Sequence, residues 1–372
     1  MKVFLIGGGS GGAISPVFAV AEAVAKLEIN TVFYLIGAKE SLDQKFLDNT
    51  VLKINYLTIP AGKWRRYFSI RNFFDFFKVF FGFLKSLYLI KKHKPDIIFG
   101  AGSFVQVPMS WAGFFSRVPT IIHQQDFDLL LSTRLTAPVA KIVTTSFDAS
   151  LKELPAFSGL FKKIKKSKFF WTGNPVRREV LDGSRQKAIE IFGLDQNYPT
   201  VLIIGGSTGS EKLNTEVISA LPELVKYVQV IHLTGGRLKE NAGFEHEHYH
   251  SYDFLSSDLK HAYAVSDMVV CRAGMSTITE LSYLEKVAVV VPLPQSAQED
   301  NAKLLGYLNC AVVIFEEFLT PEMLMKMVRK ILWDRNAIGA LKNNIKMLIP
   351  KNADQRIAKL ILKAHDEFKK NK

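Results

Sequence analysis

Three short segments of this sequence carry residue types that could grip a phosphate. The first, Gly7-Gly8-Gly9-Ser10-Gly11-Gly12, follows an apolar run at residues 3–6 and precedes a helical pattern at 17–27. Glycines there let backbone N–H groups approach a phosphate at a helix start, where the helix dipole favours negative charge. The second, Gly205-Gly206-Ser207-Thr208-Gly209, repeats the device after the apolar run at 201–204 and adds hydroxyl donors. The third, Cys271-Arg272-Ala273-Gly274-Met275-Ser276-Thr277-Ile278-Thr279-Glu280, leaves a strand end and enters a helix. Small and hydroxyl residues at that helix start suit a diphosphate, and Glu280, one turn in, could accept two hydrogen bonds from ribose hydroxyls. The same pattern also describes a capped structural helix. Two other nucleotide readings fail. A GxGxxG dinucleotide site wants a carboxylate at the end of the second strand, and that strand ends Leu35-Ile36-Gly37-Ala38. A P-loop wants Lys-Ser or Lys-Thr to close it, and none does.

Proton transfer points to His123-Gln124-Gln125-Asp126, at the end of a short apolar run. Asp126 could serve as a base with His123 in support. The alternative is a satisfied strand-end histidine and a loop-capping aspartate. Asp126-Phe127-Asp128 spells the DxD metal motif of a different transferase fold, a match common by chance. His246, His248 and His250 alternate with acids and Tyr249 and read as a solvated loop. Cys271 and Cys310 have no CxxC spacing, so neither a disulfide framework nor a zinc site is indicated, and a reduced, cytosolic compartment fits. No metal or cofactor is expected.

The elements that must position these groups follow one order: strand, glycine loop, helix, repeated. Further short buried strands are read at 31–36, 96–99, 120–123 and 142–145, and the pattern restarts at 201–204, 228–233, 268–271 and 287–291. Alternating strands and helices imply an α/β protein with parallel sheets covered on both faces. The two glycine loops suggest a weak internal duplication. A chain of 372 residues suits two domains. The boundary is placed in Trp171-Thr172-Gly173-Asn174-Pro175-Val176-Arg177, giving domains at 1–172 and 173–352, with a terminal helix at 353–372 that could pack back on the first domain. The first apolar run ends in glycine too soon for a secretory signal and reads as a buried strand.

The net charge of +13 asks for an anionic partner. No nucleic-acid motif is present, so nucleic acid is not expected, and an anionic membrane surface or a phosphate-rich substrate is. Many of the 28 phenylalanines fall in 65–94: Phe68, Phe73, Phe74, Phe76, Phe77, Phe80, Phe81 and Phe83. Arg71, Asp75, Lys78, Gly82 and Lys85 recur there at steps of four and three, so they share one narrow stripe of a helix. As a membrane span it fails, since each charge would cost roughly 2.5 to 3.5 kcal/mol at the bilayer centre. Basic flanks and a wide aromatic face suit an interfacial helix. The alternative is a buried helix whose stripe alone meets water. A second basic run, Lys162-Lys163-Ile164-Lys165-Lys166-Ser167-Lys168, precedes Phe169-Phe170-Trp171 and reads as either lipid-facing or a solvated loop.

In order along the chain, the segments GGGSGG, DIIFGAGSFVQVP (96–108), IIHQQD (121–126), GNPVR (173–177), GGSTG with Leu213-Asn214, SDMVVCRAGMSTITEL (266–281) and QEDNA (298–302) resemble the MurG family. These glycosyltransferases add N-acetylglucosamine from UDP-N-acetylglucosamine to the lipid-linked muramyl-pentapeptide precursor of peptidoglycan. The resemblance implies the GT-B architecture, two Rossmann-like domains with an interdomain cleft. It also implies an inverting transfer with the donor on the C-terminal domain. Ser207 would contact the diphosphate, Leu255 the uracil, Met275, Ser276 and Thr277 phosphate and sugar, Glu280 the ribose, and Gln298 a sugar hydroxyl. Arg177 would reach the donor from the interdomain segment. Ser10, Gly11 and Gly12 would meet the pyrophosphate of the polyprenyl-linked muramyl peptide, and with Asp126 would border the donor. The aromatic-basic segment matches the family's membrane-docking region, on the cytoplasmic face of the cell membrane. Two departures stand out. The family follows its first glycine loop with His, where this chain has Ala13. Its HEQN segment reads His123-Gln124-Gln125-Asp126 here.

Overall fold

The computed structural model describes residues 1–8, 11–38, 47, 50, 52–62, 70–148, 166–206, 209–237 and 244–370. The chain divides into two compact units, Met1–Arg177 with Pro350–Lys372, and Arg178–Ile349.

In the first unit, β1 (Lys2–Ile6), α1 (Gly11–Leu27), β2 (Val32–Ala38), β3 (Ile54–Ile59), α2 (Ile70–His93), β4 (Ile97–Gly100), α3 (Gln106–Phe115), β5 (Thr120–Gln124), α4 (Leu131–Thr136), β6 (Ile142–Thr145) and β7 (Phe169–Trp171) follow in turn. The sheet order is β3-β2-β1-β4-β5-β6-β7, parallel throughout. In the second unit, α5 (Arg185–Phe192), β8 (Thr200–Ile204), α6 (Glu211–Leu224), β9 (Gln229–Leu233), β10 (Tyr249–Tyr252), α7 (Leu259–Val265), β11 (Met268–Cys271), α8 (Met275–Leu284), β12 (Ala288–Val290), α9 (Ala297–Tyr307), β13 (Val312–Val313), α10 (Pro321–Leu332) and α11 (Arg335–Leu348) build a parallel sheet in the order β10-β9-β8-β11-β12-β13. The final helix, α12 (Ala353–Lys370), belongs to the first unit.

Counted within its own unit, the second sheet runs 3-2-1-4-5-6 and the first runs the same order with a seventh strand added, so the duplication suggested by the glycine loops is a duplication of topology. In such a sheet the strand order reverses once, between β1 and β4 in the first unit and between β8 and β11 in the second. Crossover helices diverge there and open a crevice at the carboxyl ends of the strands. The central strands read as unbroken apolar runs because helices cover both faces. In the first unit, Ile14, Val17, Val20 and Val24 of α1 pack with Ile357, Ala358 and Ile361 of α12 over Val3, Leu5 and Ile97. Leu89, Ile90 and Met109 fill the other face against Phe4, Ile6 and Ile98. In the second, Leu213, Val217 and Leu221 of α6 and Leu324 and Val328 of α10 share a core with Val201, Val230 and Val270.

Helix α2 departs from the alternative reading, a buried helix in which the stripe Arg71, Asp75, Lys78, Gly82, Lys85 alone meets water: the stripe splits. Asp75 and Gly82 are buried and Lys78 and Lys85 exposed, while Arg71 has no described side chain. A Cβ on Gly82 would lie 2.1 Å from the Pro60 carbonyl oxygen, so only glycine lets α2 cross the end of β3 so closely. Ser86, also buried, donates to the Gly82 carbonyl at 2.7 Å. With the small, polar side turned inward, Phe77, Phe80, Phe81, Leu84 and Tyr88 face out, each 44–59% exposed. At 100° per residue, Lys78, Lys85 and Lys92 form a row along the edge of that aromatic face. Phe83 meets Phe115 of α3 edge-on at 5.8 Å, and Phe114 and Phe115, both exposed, widen the patch. Among the described residues, no helix is long and apolar enough to cross a membrane.

The second basic run lies mostly outside the described residues. Its last lysine, Lys168, donates to the carbonyls of Pro138 (3.1 Å) and Ala140 (2.9 Å), and the aromatic triplet after it is the edge strand β7.

Candidate functional site

The second unit places its candidate residues along the carboxyl edge of one sheet. The glycine loop leaves β8 at Gly205, and Ser207 lies outside the described residues. The loop closes at Gly209, whose φ is +67°; a Cβ there would sit 2.5 Å from the Thr234 carbonyl oxygen, so the tight return against the end of β9 requires glycine. Ser210 then caps α6, its hydroxyl accepting from Leu213 N at 3.3 Å. Across the reversal of strand order, β11 ends at Cys271 and α8 begins at Met275. The N-cap there is Gly274, which offers no side chain to the helix start. Met275, Ser276 and Thr277 form its first turn, the end of a ten-residue helix that attracts an anion.

Arg272, between the two, is buried and structural. Its guanidinium donates to the Val291 (3.2 Å) and Pro292 (3.0 Å) carbonyls, to the Ser210 hydroxyl (2.5 Å), and to the Glu316 carboxylate, with which it forms an ion pair. It thereby ties the α6 cap to the ends of β11 and β12. Glu280 is buried, and Tyr263 of α7 donates to its Oε2 at 2.7 Å. Sequence spacing could not reveal this pair, since the residues stand on different helices either side of β11. Burial and then the Glu280 charge push the Cys271 thiol up to about 12.

Leu255 is buried just beyond β10 and Phe254 beside it is exposed. Thr234 donates through its hydroxyl to Asp253 Oδ1 (3.0 Å) and through its N–H to the Tyr252 carbonyl (2.9 Å), pinning that segment to the end of β9. Leu255 thus stands two strands from β8, about 10 Å along the edge. Gln298, in the first turn of α9, accepts from Leu293 N at 3.0 Å through Oε1, and Glu299 accepts from Gln295 N at 3.2 Å, so that turn shapes the loop after β12.

In the first unit, Ser10 lies outside the described residues and Gly11 and Gly12 open α1. Ala13 is in its first turn. The segment at the end of β5 is organised by the amide of Gln124, which is fully buried. Nε2 donates to the carbonyls of Asp126 (2.9 Å) and Asp128 (2.6 Å), while Oε1 accepts from the Thr133 hydroxyl (2.5 Å) and Leu130 N (3.4 Å). A glutamate at this position could not make the two donations. Asp126, half-buried, rides on the loop so formed.

His123 is the fourth residue of β5. It is fully buried, with Nδ1 2.9 Å from Thr144 Oγ1 and Nε2 2.8 Å from Asn174 Oδ1. Because Asn174 Oδ1 accepts only, Nε2 carries the proton and Nδ1 accepts from Thr144. Burial pulls its pKa down to about 4, against the raising effect of the Asn174 side chain and the Thr144 backbone. With both nitrogens engaged, the imidazole links β5 to β6 through Thr144 and to the segment after β7 through Asn174. Arg177 closes the first unit, and its Nε is buried without a hydrogen-bond partner.

Of the three histidines read as a solvated loop, His246 is exposed in the loop before β10, His248 lies in the turn that enters it, and His250 is a strand residue. His248 is buried with Nδ1 on the Val225 carbonyl (3.0 Å), and His250 stands in β10. Among the described residues, no group of three or more His, Cys, Asp or Glu is placed to hold a metal.

Two doubly wound parallel sheets, each with a glycine loop at its reversal of strand order, define a two-unit nucleotide-binding-type α/β protein. The chain belongs to glycosyltransferase family 28: the N-terminal domain of that family matches residues 3–145 and its C-terminal domain residues 200–361. A Clostridium kluyveri protein named UDP-N-acetylglucosamine–N-acetylmuramyl-(pentapeptide) pyrophosphoryl-undecaprenol N-acetylglucosamine transferase is 32% identical over 367 residues, 97% of this chain and 99% of its own. The crystal structure of Acinetobacter baumannii MurG superposes with a TM-score of 0.70 at 23% identity, covering 97% of this chain and 99% of that one. A UDP-GlcNAc 2-epimerase from Neisseria meningitidis, bound to UDP-GlcNAc, reaches 0.69 at 14% identity, covering 98% and 100%. The fold is therefore shared with an enzyme of different chemistry, and the reaction must be argued from the site and the sequence relatives.

Proposed function

We propose that the chain is an inverting transferase that moves N-acetylglucosamine from UDP-N-acetylglucosamine to a muramyl peptide carried on a polyprenyl pyrophosphate, working at the cytoplasmic face of a bacterial membrane. The observation that carries this reading is near full-length likeness to a transferase of that name, joined to an anion-attracting helix start beside a buried, oriented carboxylate in the second unit.

The donor belongs to that unit. Amides of the loop after β8, with Ser207, and the start of α8 at Met275, Ser276 and Thr277 face the diphosphate and stabilise its charge as the sugar departs. Glu280 accepts from the ribose hydroxyls, and Leu255 lies against uracil. Gln298 commits Oε1 to Leu293 N, so its NH2 end is the one that donates to a sugar oxygen. Arg177 brings a fixed positive charge and an unpartnered N–H to the donor. The acceptor pyrophosphate lies at the start of α1, by Ser10, Gly11 and Gly12. Its sugar hydroxyl attacks the anomeric carbon opposite the leaving UDP, which inverts the configuration, and Asp126 takes the proton.

The acceptor is a lipid, and the aromatic face of α2 and α3 with its row of Lys78, Lys85 and Lys92 is the surface that meets the membrane. Partly exposed rings can enter the headgroup boundary, and each lysine adds about 1 kcal/mol near an anionic leaflet.

Radiolabelled UDP-N-acetylglucosamine supplied with the lipid-linked muramyl pentapeptide, in the presence of a chelator, is expected to put label into the lipid fraction. Asp126→Ala should slow this by roughly 10²–10⁴-fold. Binding of UDP with no transfer to a polyprenyl acceptor overturns the transferase reading, and undiminished turnover of Asp126→Ala removes it as base. Replacing the exposed Phe80, Phe81 and Tyr88 with Ser should release folded protein from phosphatidylglycerol vesicles; retention would refute the docking surface.

A further inference from the structure

We infer that Tyr263 is a positioning residue for the nucleoside, its phenol setting the Glu280 carboxylate in the orientation that meets a ribose diol. This rests on the reading that Glu280 holds the ribose.

Tyr263 is among the largest fully buried side chains of the chain, 1% exposed, and its hydroxyl donates to Glu280 Oε2 at 2.7 Å. The two residues reach each other across β11: α7 enters that strand and α8 leaves it. Glutamate is among the side chains with most rotamer freedom to lose on ordering. A charge-assisted bond to a rigid buried ring fixes its carboxylate before ligand arrives, so the ordering is not charged against binding. The phenol donates to one carboxylate oxygen only, which leaves acceptor positions on the carboxylate for hydroxyl donors. Cys271 is fully buried at the end of β11, close enough to feel the Glu280 charge, and Glu280 itself is buried. In such surroundings an ill-aimed carboxylate has little water to fall back on. The expected consequence is preference for a ribonucleotide over its 2′-deoxy counterpart, sustained by a residue that does not itself touch the ligand.

Calorimetry of UDP and 2′-deoxy-UDP with the full chain, Tyr263→Phe and Glu280→Gln tests this. Tyr263→Phe keeps the ring and removes only the donor. It is expected to bind UDP roughly tenfold more weakly and 2′-deoxy-UDP nearly as the parent does, so the preference shrinks. Equal weakening of both nucleotides would mark a merely structural tyrosine and overturn the proposal. Preference retained in Tyr263→Phe but lost in Glu280→Gln would overturn it while leaving the ribose contact standing. Preference retained in Glu280→Gln would remove the ribose contact itself. If Tyr263→Phe does not fold, Glu280→Asp keeps the charge and withdraws it from the phenol. A parental preference in that variant also overturns the proposal.

Discussion

Gln124→Glu changes one atom pair and should be among the most damaging isosteric substitutions in the first unit. The parent amide makes four bonds inside a fully buried pocket, two of them donations from Nε2 to the carbonyls of Asp126 and Asp128. A carboxylate keeps the acceptor half and turns the donor half into an oxygen facing two oxygens. Two lost bonds are worth about 1–3 kcal/mol together, and a buried charge left facing carbonyls adds to that, so a loss of about 3–5 kcal/mol at pH 8 follows. For a domain of this size that is a fall of about 6–20 °C in melting temperature, at roughly 2–4 °C per kcal/mol. The sign with pH is fixed. Burial raises the new carboxyl pKa above the unfolded value of about 4.3, so the folded state holds a proton the unfolded state has released. Stability relative to the parent therefore falls as pH rises from about 4.3 to the folded pKa, by up to about 1.4 kcal/mol per pH unit. Thermal unfolding by circular dichroism at pH 5 and pH 8 measures both quantities, and turnover of the same variant reports whether Asp126 has moved. A variant as stable as the parent at pH 8, or one whose deficit does not shrink at pH 5, would refute this account of the loop.

Burial holds His123 and His232 near pKa 4, one in each unit. An unfolded histidine titrates near 6.5, so the unfolded chain binds protons that the folded chain refuses. Their contribution is whole above about pH 6.5 and is lost as pH falls toward 4, at about 1.4 kcal/mol per pH unit in each unit; urea midpoints that stay level between pH 7 and pH 5 would contradict it. Gly82→Ala should cost about 1–3 kcal/mol by forcing α2 off Pro60, seen as faster amide exchange along Ile70–His93, and unchanged exchange would show that the crossing tolerates a methyl group.

The sequence by itself determined the class of fold and the sheet edge to which the candidate site residues belong. Apolar runs ending in glycine loops read as buried parallel strands feeding helices, and that places Met275, Ser276, Thr277 and Glu280 after β11 and Gly11 and Gly12 after β1. It was silent on short or polar edge strands such as β7 and β10, whose Tyr-His-Ser-Tyr pattern carries no core signal, because edge strands are chosen by their neighbours and not by their own hydrophobicity. Tertiary structure alone decided which side of α2 is wet, because the deciding fact is the distance from Gly82 to a carbonyl in another element. It decided that His123 braces strands, through Thr144 and Asn174, and that Gln124 needs an amide. It also decided that Tyr263 donates to Glu280. Each of these depends on which atoms approach within about 3 Å across the fold, and one-dimensional spacing reports only neighbours along a single element.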